Sequence, residues 1–142
     1  MSTCFLDTKI LLRFLTRDDP GKAQRARNLL LRIERGEEKV ITSPLVIFET
    51  IYTLQRYYKV PRQIIKEQIL SIISLRSLHL PDKSLYRRAF DLYLTKNISF
   101  ADAYNAVYVQ TEEVSHIYSW DEDFDKIDGI TRLEPTLEEE EG

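Results

Sequence analysis

A single cysteine and two histidines leave this chain of 142 residues poorly equipped for several kinds of chemistry. One thiol excludes a disulfide framework and a cysteine-based zinc cage. Cys4 lies in the apolar stretch "TCFL", which predicts a buried, inert thiol. His79 and His116 fall in strand-like stretches where packing is expected, so no histidine set is present for zinc. A Ser–His–Asp or Cys–His hydrolase is disfavoured for the same reason, and no nucleophile-elbow motif occurs. No apolar run approaches the roughly 18 residues of a membrane span. The N-terminus does not read as a signal peptide, so the expected location is the cytoplasm.

What remains is ordinary globular composition, 43% hydrophobic and 30% charged, at a length suited to one domain with a proper core. The net charge of −3 is misleading. Four of the 23 acids form the run Glu138–Glu141 in "LEEEEG", and the other 19 face 20 bases. The body is therefore slightly basic, and a polyanionic substrate is not excluded. The expected organisation is one domain over residues 1–134 and a solvated acidic tail over 135–142.

Strands and helices alternate along that domain. "STCFLD" reads as a strand, and Ile10, Leu11, Phe14 and Leu15 mark a helix over Thr8–Thr16. "AQRARNLLLRIERG" is an amphipathic helix closed by Gly36. "KVIT" is a strand. "SPLVIFETIYTLQRYY" opens with Ser43 as cap and Pro44 in the first turn. A second helix starting at Pro61 completes a helical hairpin. "SLHL" is a strand, "DKSLYRRAFDLYLTKN" a helix capped by its Asp, and "SFADAYNAVYVQTEE" a further helix. "SHIYSW" and "TRLEP" are strands on either side of a helical turn in "DEDFDKI". This alternation predicts a parallel sheet with helices on both faces, and sites in such sheets form beyond the C-terminal ends of strands.

Acids occupy those places. Asp7 and Asp121 each follow a strand. Glu49 sits among Leu45, Val46, Tyr52 and Thr53, away from a plainly solvated face. Asp102 opens a helix three residues after Ser99. Each has a second explanation: Asp7 and Asp121 as helix caps, Ser99 with Asp102 as a capping box, Asp123 and Asp125 as solvated charges. Taken together they form a set that would repel and raise one another's pKa values without a cation. All-oxygen ligation suits Mg²⁺ or Mn²⁺.

Over most of its length, from "FLDTKILLRFL" through "LVIFETIYTL" and "SFADAYNAVYV" to "YSWDEDFDKIDGITRLEP", the chain resembles PIN-domain nucleases. Within them it is similar to the VapC-type toxin ribonucleases of toxin–antitoxin pairs. The resemblance implies a three-layer α/β/α fold with a central parallel sheet and a protruding helical hairpin. It also implies Asp7, Glu49, Asp102 and Asp121 as catalytic, metal-binding acids, Asp123 as a looser fifth ligand, and Ser119 at the hydroxyl position. Lys9 stands where many members carry Asn or Ser, and Trp120 replaces the usual Phe. The implied activity is metal-dependent hydrolysis of RNA to 5′-phosphate and 3′-hydroxyl ends, with a homodimer contact and an antitoxin groove near the hairpin.

Lys9, Arg13 and Arg17 recur every four residues and read either as phosphate contacts or as a solvated helix face. By this reading Lys9, Arg13 and Ser119 would touch substrate. Lys22, Arg25, Arg27, Arg32 and Arg35 read as ordinary surface. Most of the eight tyrosines fall at packing positions rather than base-stacking ones. The alternative function is a non-catalytic PIN-like RNA-binding or scaffold domain, against which the four intact acids argue. A phosphatase of the haloacid-dehalogenase type would need an acid where Lys9 stands.

Overall fold

Five short strands and six helices follow one another in the expected order in the computed structural model, which describes residues 2–137. The acidic run expected to be solvated lies outside those residues. The chain divides into two units between Arg87 and Arg88.

In the first unit, β1 (Cys4–Phe5), β2 (Val40–Ile41) and β3 (Leu78–His79) form a parallel sheet in that order. Cys4 is opposite Val40, and Val40 opposite Leu78. Helices α1 (Thr8–Thr16), α2 (Pro20–Glu34), α3 (Pro44–Arg56) and α4 (Arg62–Ile73) bury one stripe each. Leu11, Ile33, Ile47, Leu54, Ile65 and Ile69 are essentially inaccessible. Such burial is the main favourable term, on the order of 1.5–3 kcal/mol for each large side chain.

Local chemistry sets the helix ends. The Asp19 carboxylate accepts the Lys22 amide at 3.0 Å, and Pro20 fits the first turn, so α2 begins three residues earlier than the sequence pattern predicts. At its other end Gly36 adopts φ 76°. Its amide reaches Ile33 O at 3.0 Å while the Glu37 amide reaches Arg32 O at 2.9 Å, a Schellman closure. Ser43 caps α3 as expected. Pro61 precedes α4 instead of entering it, and its extended backbone (ψ 144°) feeds the helix that starts at Arg62. Asp82, expected to cap the helix that begins at Lys83, has φ 55°, which is not the extended backbone of a capping residue.

The second unit carries β4 (His116–Tyr118) paired in parallel with β5 (Thr131–Leu133), joined through a 3-10 turn at Glu122–Lys126. Helix α6 (Phe100–Thr111) contributes Phe100 to a ring cluster with Phe90 and Tyr93 from α5 (Lys83–Thr95). The Phe90 and Phe100 centroids are 4.5 Å apart. Tyr93 meets both rings edge-on, and such contacts add to the area already buried.

Parallel pairing holds throughout, in sheets of three and two strands. Three packing expectations fail. Cys4 is exposed, because β1 lies at the end of the three-stranded order. His79 and His116 lie in strands as predicted, yet both side chains are exposed, since alternate residues of a strand face opposite ways. Tyr86 and Tyr93 are fully buried, but Tyr52 and Tyr108 are exposed on the outer stripes of their helices, and Tyr57 and Tyr58 are exposed just past the end of α3.

Candidate metal and active site

In the first unit, the chain leaving β1 is pinned just before its acid. The Leu6 amide donates to Ile41 O at 2.8 Å, and Leu6 O accepts the buried Thr42 hydroxyl at 2.8 Å. Asp7 follows in the N-cap position of α1 with extended backbone (φ −94°, ψ 162°). Its carbonyl accepts the Ile10 amide, but its carboxylate accepts no capping hydrogen bond and is exposed. The cap explanation therefore accounts for the backbone of Asp7 and not for its charge.

Thr8, itself buried, donates its hydroxyl to Glu49 Oε2 at 3.0 Å. That bond ties the start of α1 to the second turn of α3. Glu49 is exposed, and so are Leu45 and Tyr52 on the same side of the helix, contrary to the sequence expectation. Leu45 and Tyr52 are apolar cover without a partner in this unit. Nothing in the spacing announced Thr8, because a hydroxyl at the first helical position is common and its acceptor lies 41 residues away.

In the second unit the acids converge. Ser99 Oγ accepts the Asp102 amide at 3.1 Å, so the capping half of the Ser99–Asp102 motif is present. The Asp102 carboxylate is turned to other acids all the same. Carboxylate oxygens of Asp102, Asp121 and Asp123 all lie within 4.8 Å of one another. The turn that delivers the last two is stitched residue by residue. The Asp121 amide donates to Ser119 Oγ at 2.9 Å, and the Asp123 amide to Asp121 Oδ1 at 2.9 Å. Ser119 is held from both sides: its amide reaches Leu133 O at 3.0 Å, and its carbonyl accepts Arg132 Nη1 at 3.0 Å.

Arg132, which the sequence reading passed over, is the strut of this turn. It pairs with Asp125 at 3.1 Å and with Glu134 at 2.6 Å, and these two acids hold its guanidinium more firmly charged than usual. Asp125 is thereby a structural partner of Arg132. Asp123 shares its charge with Lys126 at 3.0 Å.

Burial, and then the neighbouring Asp121 carboxyl, push the Asp102 pKa up to about 6, against the pull of the Ser99 hydroxyl. Asp121 moves the other way. The hydrogen bond from Asp102 comes first among the causes, followed by the Asp123 amide and the charges of Lys126 and Arg132. The two titrate as one pair, and below about pH 6 the proton they share resides on Asp102, the less exposed of the two.

Three hard oxygen donors in this space fit a small divalent ion. Asp102, Asp121 and Asp123, with carboxylate oxygens within 4.8 Å of one another, are the residues that would draw together to hold it. A cation there would also displace the shared proton and relieve the repulsion.

The family model described as PIN domain matches residues 4–130. The chain belongs to the PIN-domain family. One PIN-domain relative, the "VapC ribonuclease" of Aquifex aeolicus (strain VF5), is 26% identical over 130 residues, spanning 92% of this chain and 95% of that protein. Among solved structures, the Mycobacterium tuberculosis VapC20, titled a sarcin-ricin loop cleaving toxin, is 18% identical. It covers 87% of this chain and 93% of its own, with a TM-score of 0.35.

Proposed function

We propose that this PIN-domain protein is an Mg²⁺- or Mn²⁺-dependent endoribonuclease that acts as the toxin of a toxin–antitoxin pair. The observation that carries the proposal is the group of Asp102, Asp121 and Asp123, whose carboxylate oxygens lie within 4.8 Å of one another. Such a group is unfavourable by itself and becomes favourable around a cation. Asp7 and Glu49 complete the catalytic set in this reading, as the order of acids in the family implies. The similarity to a curated VapC ribonuclease supports RNA as substrate and a toxin role.

Asp102, Asp121 and Asp123 would hold the ion, with Asp7 and Glu49 as further ligands. When bound, the ion supplies Lewis acidity toward the phosphate and activates water for in-line attack at phosphorus. The protein's own part is to orient. The Thr8 hydroxyl fixes Glu49, and the Ser119 turn fixes Asp121 and presents a hydroxyl beside it. Lys9 and Arg13 would draw the RNA backbone toward Asp7. A homodimer and an antitoxin that covers the exposed apolar residues of the hairpin belong to the same proposal, as does a cytoplasmic location. No helix among the described residues is long and apolar enough to cross a membrane.

The test is cleavage of a structured RNA by purified protein in Mn²⁺, with and without excess EDTA. Cleavage is expected to stop in the chelator and to return when Mn²⁺ is restored. Cleavage that continues in EDTA would rule out the metal-dependent reading.

A further inference from the structure

In the first unit, helices α1 and α2 enclose an open cavity of about 600 Å³. Its rim is of one sign: Lys9 and Arg13 from α1 face Lys22, Arg25 and Arg32 from α2. Its floor is apolar and shallow, made by Ile10, Ala26 and Leu29. Among the described residues no carboxylate lines it. Arg32 reaches out to Glu38 at 3.7 Å, and Asp19 feels the charges of Lys22 and Arg13, so five cations stand against two nearby acids. Among the described residues Lys9, Lys22 and Arg25 make no ion pair, and all three are exposed.

The stripe visible in the sequence does not run as its spacing suggested. Arg17 sits at the end of α1 with φ 59° and lines a different cavity, with Phe14, Pro20 and Gln24. The basic line instead leaves α1 at Arg13 and crosses to α2. Along α2, Lys22, Arg25 and Arg32 span about 15 Å of helix axis. Five cations against two nearby acids are a self-repelling arrangement that a polyanion relieves.

We infer that the α1–α2 groove is a cradle for the sugar–phosphate backbone of the RNA substrate, holding the strand beyond the segment that is cut. The inference rests on the ribonuclease reading above and adds a binding site to it. The groove holds a strand without reading it. Among the described residues its lining has no aromatic ring on which a base can stack and one side-chain amide, Asn28. Lysine and arginine contacts to phosphate position a nucleic acid, whereas sequence is read at base edges. Sequence preference in cleavage must then arise elsewhere, and the groove contributes affinity, register along the strand and salt dependence.

The experiment measures the affinity of labelled oligouridine and oligoadenosine as a function of salt, in Ca²⁺ to suppress turnover. It compares the parent, the double variant Lys22→Ala with Arg25→Ala, and the control Arg76→Ala, an exposed arginine outside the groove lining. Each phosphate contact on a single strand adds about 0.7 to the slope of log affinity against log salt. The double variant should lose about 1.4 from the slope and bind about 25-fold more weakly at 0.1 M salt, converging with the parent near 1 M. The loss should be the same for both oligonucleotides, and Arg76→Ala should lose less. Melting curves establish that the variants are folded, and Lys22→Arg with Arg25→Lys should restore the parent slope.

Unchanged affinity and slope in a folded double variant would overturn the cradle. So would a loss confined to one base type. If the double variant keeps its RNA affinity but loses binding of an oligoglutamate peptide, the groove is a surface for an acidic protein segment instead. A parent that binds the oligonucleotides but cleaves no RNA in Mn²⁺ would count against the ribonuclease reading, whatever the groove variants do.

Discussion

The acids of the first unit and those of the second are held in opposite ways. Asp7 and Glu49 come from separate elements, and neither is set against another acid of its unit: only the backbone of Asp7 is fixed, at the start of α1, and the Glu49 carboxylate accepts the neutral Thr8 hydroxyl. Asp102, Asp121 and Asp123 lean on one another, and the strain of their charges shows in a shared proton. The difference separates two tasks within a carboxylate site. Acids that repel one another in the empty state supply affinity for a cation. Acids held by neutral hydrogen bonds supply orientation at little cost to the fold.

The largest effect expected from breaking this contrast is on catalysis. Asp102→Asn and Asp7→Asn should each lower the single-turnover rate of RNA cleavage in Mn²⁺ about a thousandfold, the loss of several kcal/mol of charge stabilisation. Their metal-free stabilities should differ. Asp102→Asn should melt at or above the parent temperature at pH 7, where burial and the Asp121 carboxylate disfavour its ionised form, whereas Asp7→Asn should stay within about 0.5 kcal/mol of the parent. Equal and strong destabilisation by both would erase the distinction between the two regions.

A pH series sharpens it further. The folded pKa of Asp102, about 6, lies above its ordinary value of 3.8, so the folded state binds this proton more tightly than the unfolded chain does. Its contribution to stability is fully present below about pH 4 and is lost as pH rises through 6. Asp121 has the opposite sign: its depressed pKa contributes above 3.8 and is lost as pH falls through the lower folded value. Metal-free protein should therefore show a shallow decline in melting temperature between pH 4 and 7. The decline should be missing in Asp102→Asn and smaller with saturating Mn²⁺. A parent profile that is flat or rises across that window would contradict the shared proton.

The smallest expected effect concerns the other region. Thr8→Val keeps the shape of a buried side chain but removes its hydrogen bond to Glu49, at a cost of about 1 kcal/mol in stability. Cleavage should fall about tenfold, the scale of losing a group that orients a ligand, and Thr8→Ser should recover most of it. If Thr8→Val cleaves as fast as the parent, the bond serves the fold alone.

Much of this was legible in the chain. Every strand and helix appears in the predicted order, because apolar periodicity and end signals such as Ser43-Pro44 and Gly36 act over a few residues. The order of the acids carried the family resemblance. Burial was read less well. Cys4, His79 and Glu49 were each placed by their neighbours in sequence, but exposure depends on which strand ends a sheet and which side of a helix faces it. Arg132 was invisible as a strut, since its acceptors are a carbonyl 13 residues back and carboxylates on either side in the chain.

By itself the sequence determined the elements, their parallel pairing and the inventory of carboxylates, all consequences of short-range spacing and of residue type. Tertiary structure alone decided which acids share a proton, which hydroxyl steadies Glu49, and that the basic line turns at Arg13 onto α2 instead of continuing to Arg17. Charges and hydrogen bonds act over a few ångströms of space, and folding brings into that range groups that the chain holds tens of residues apart.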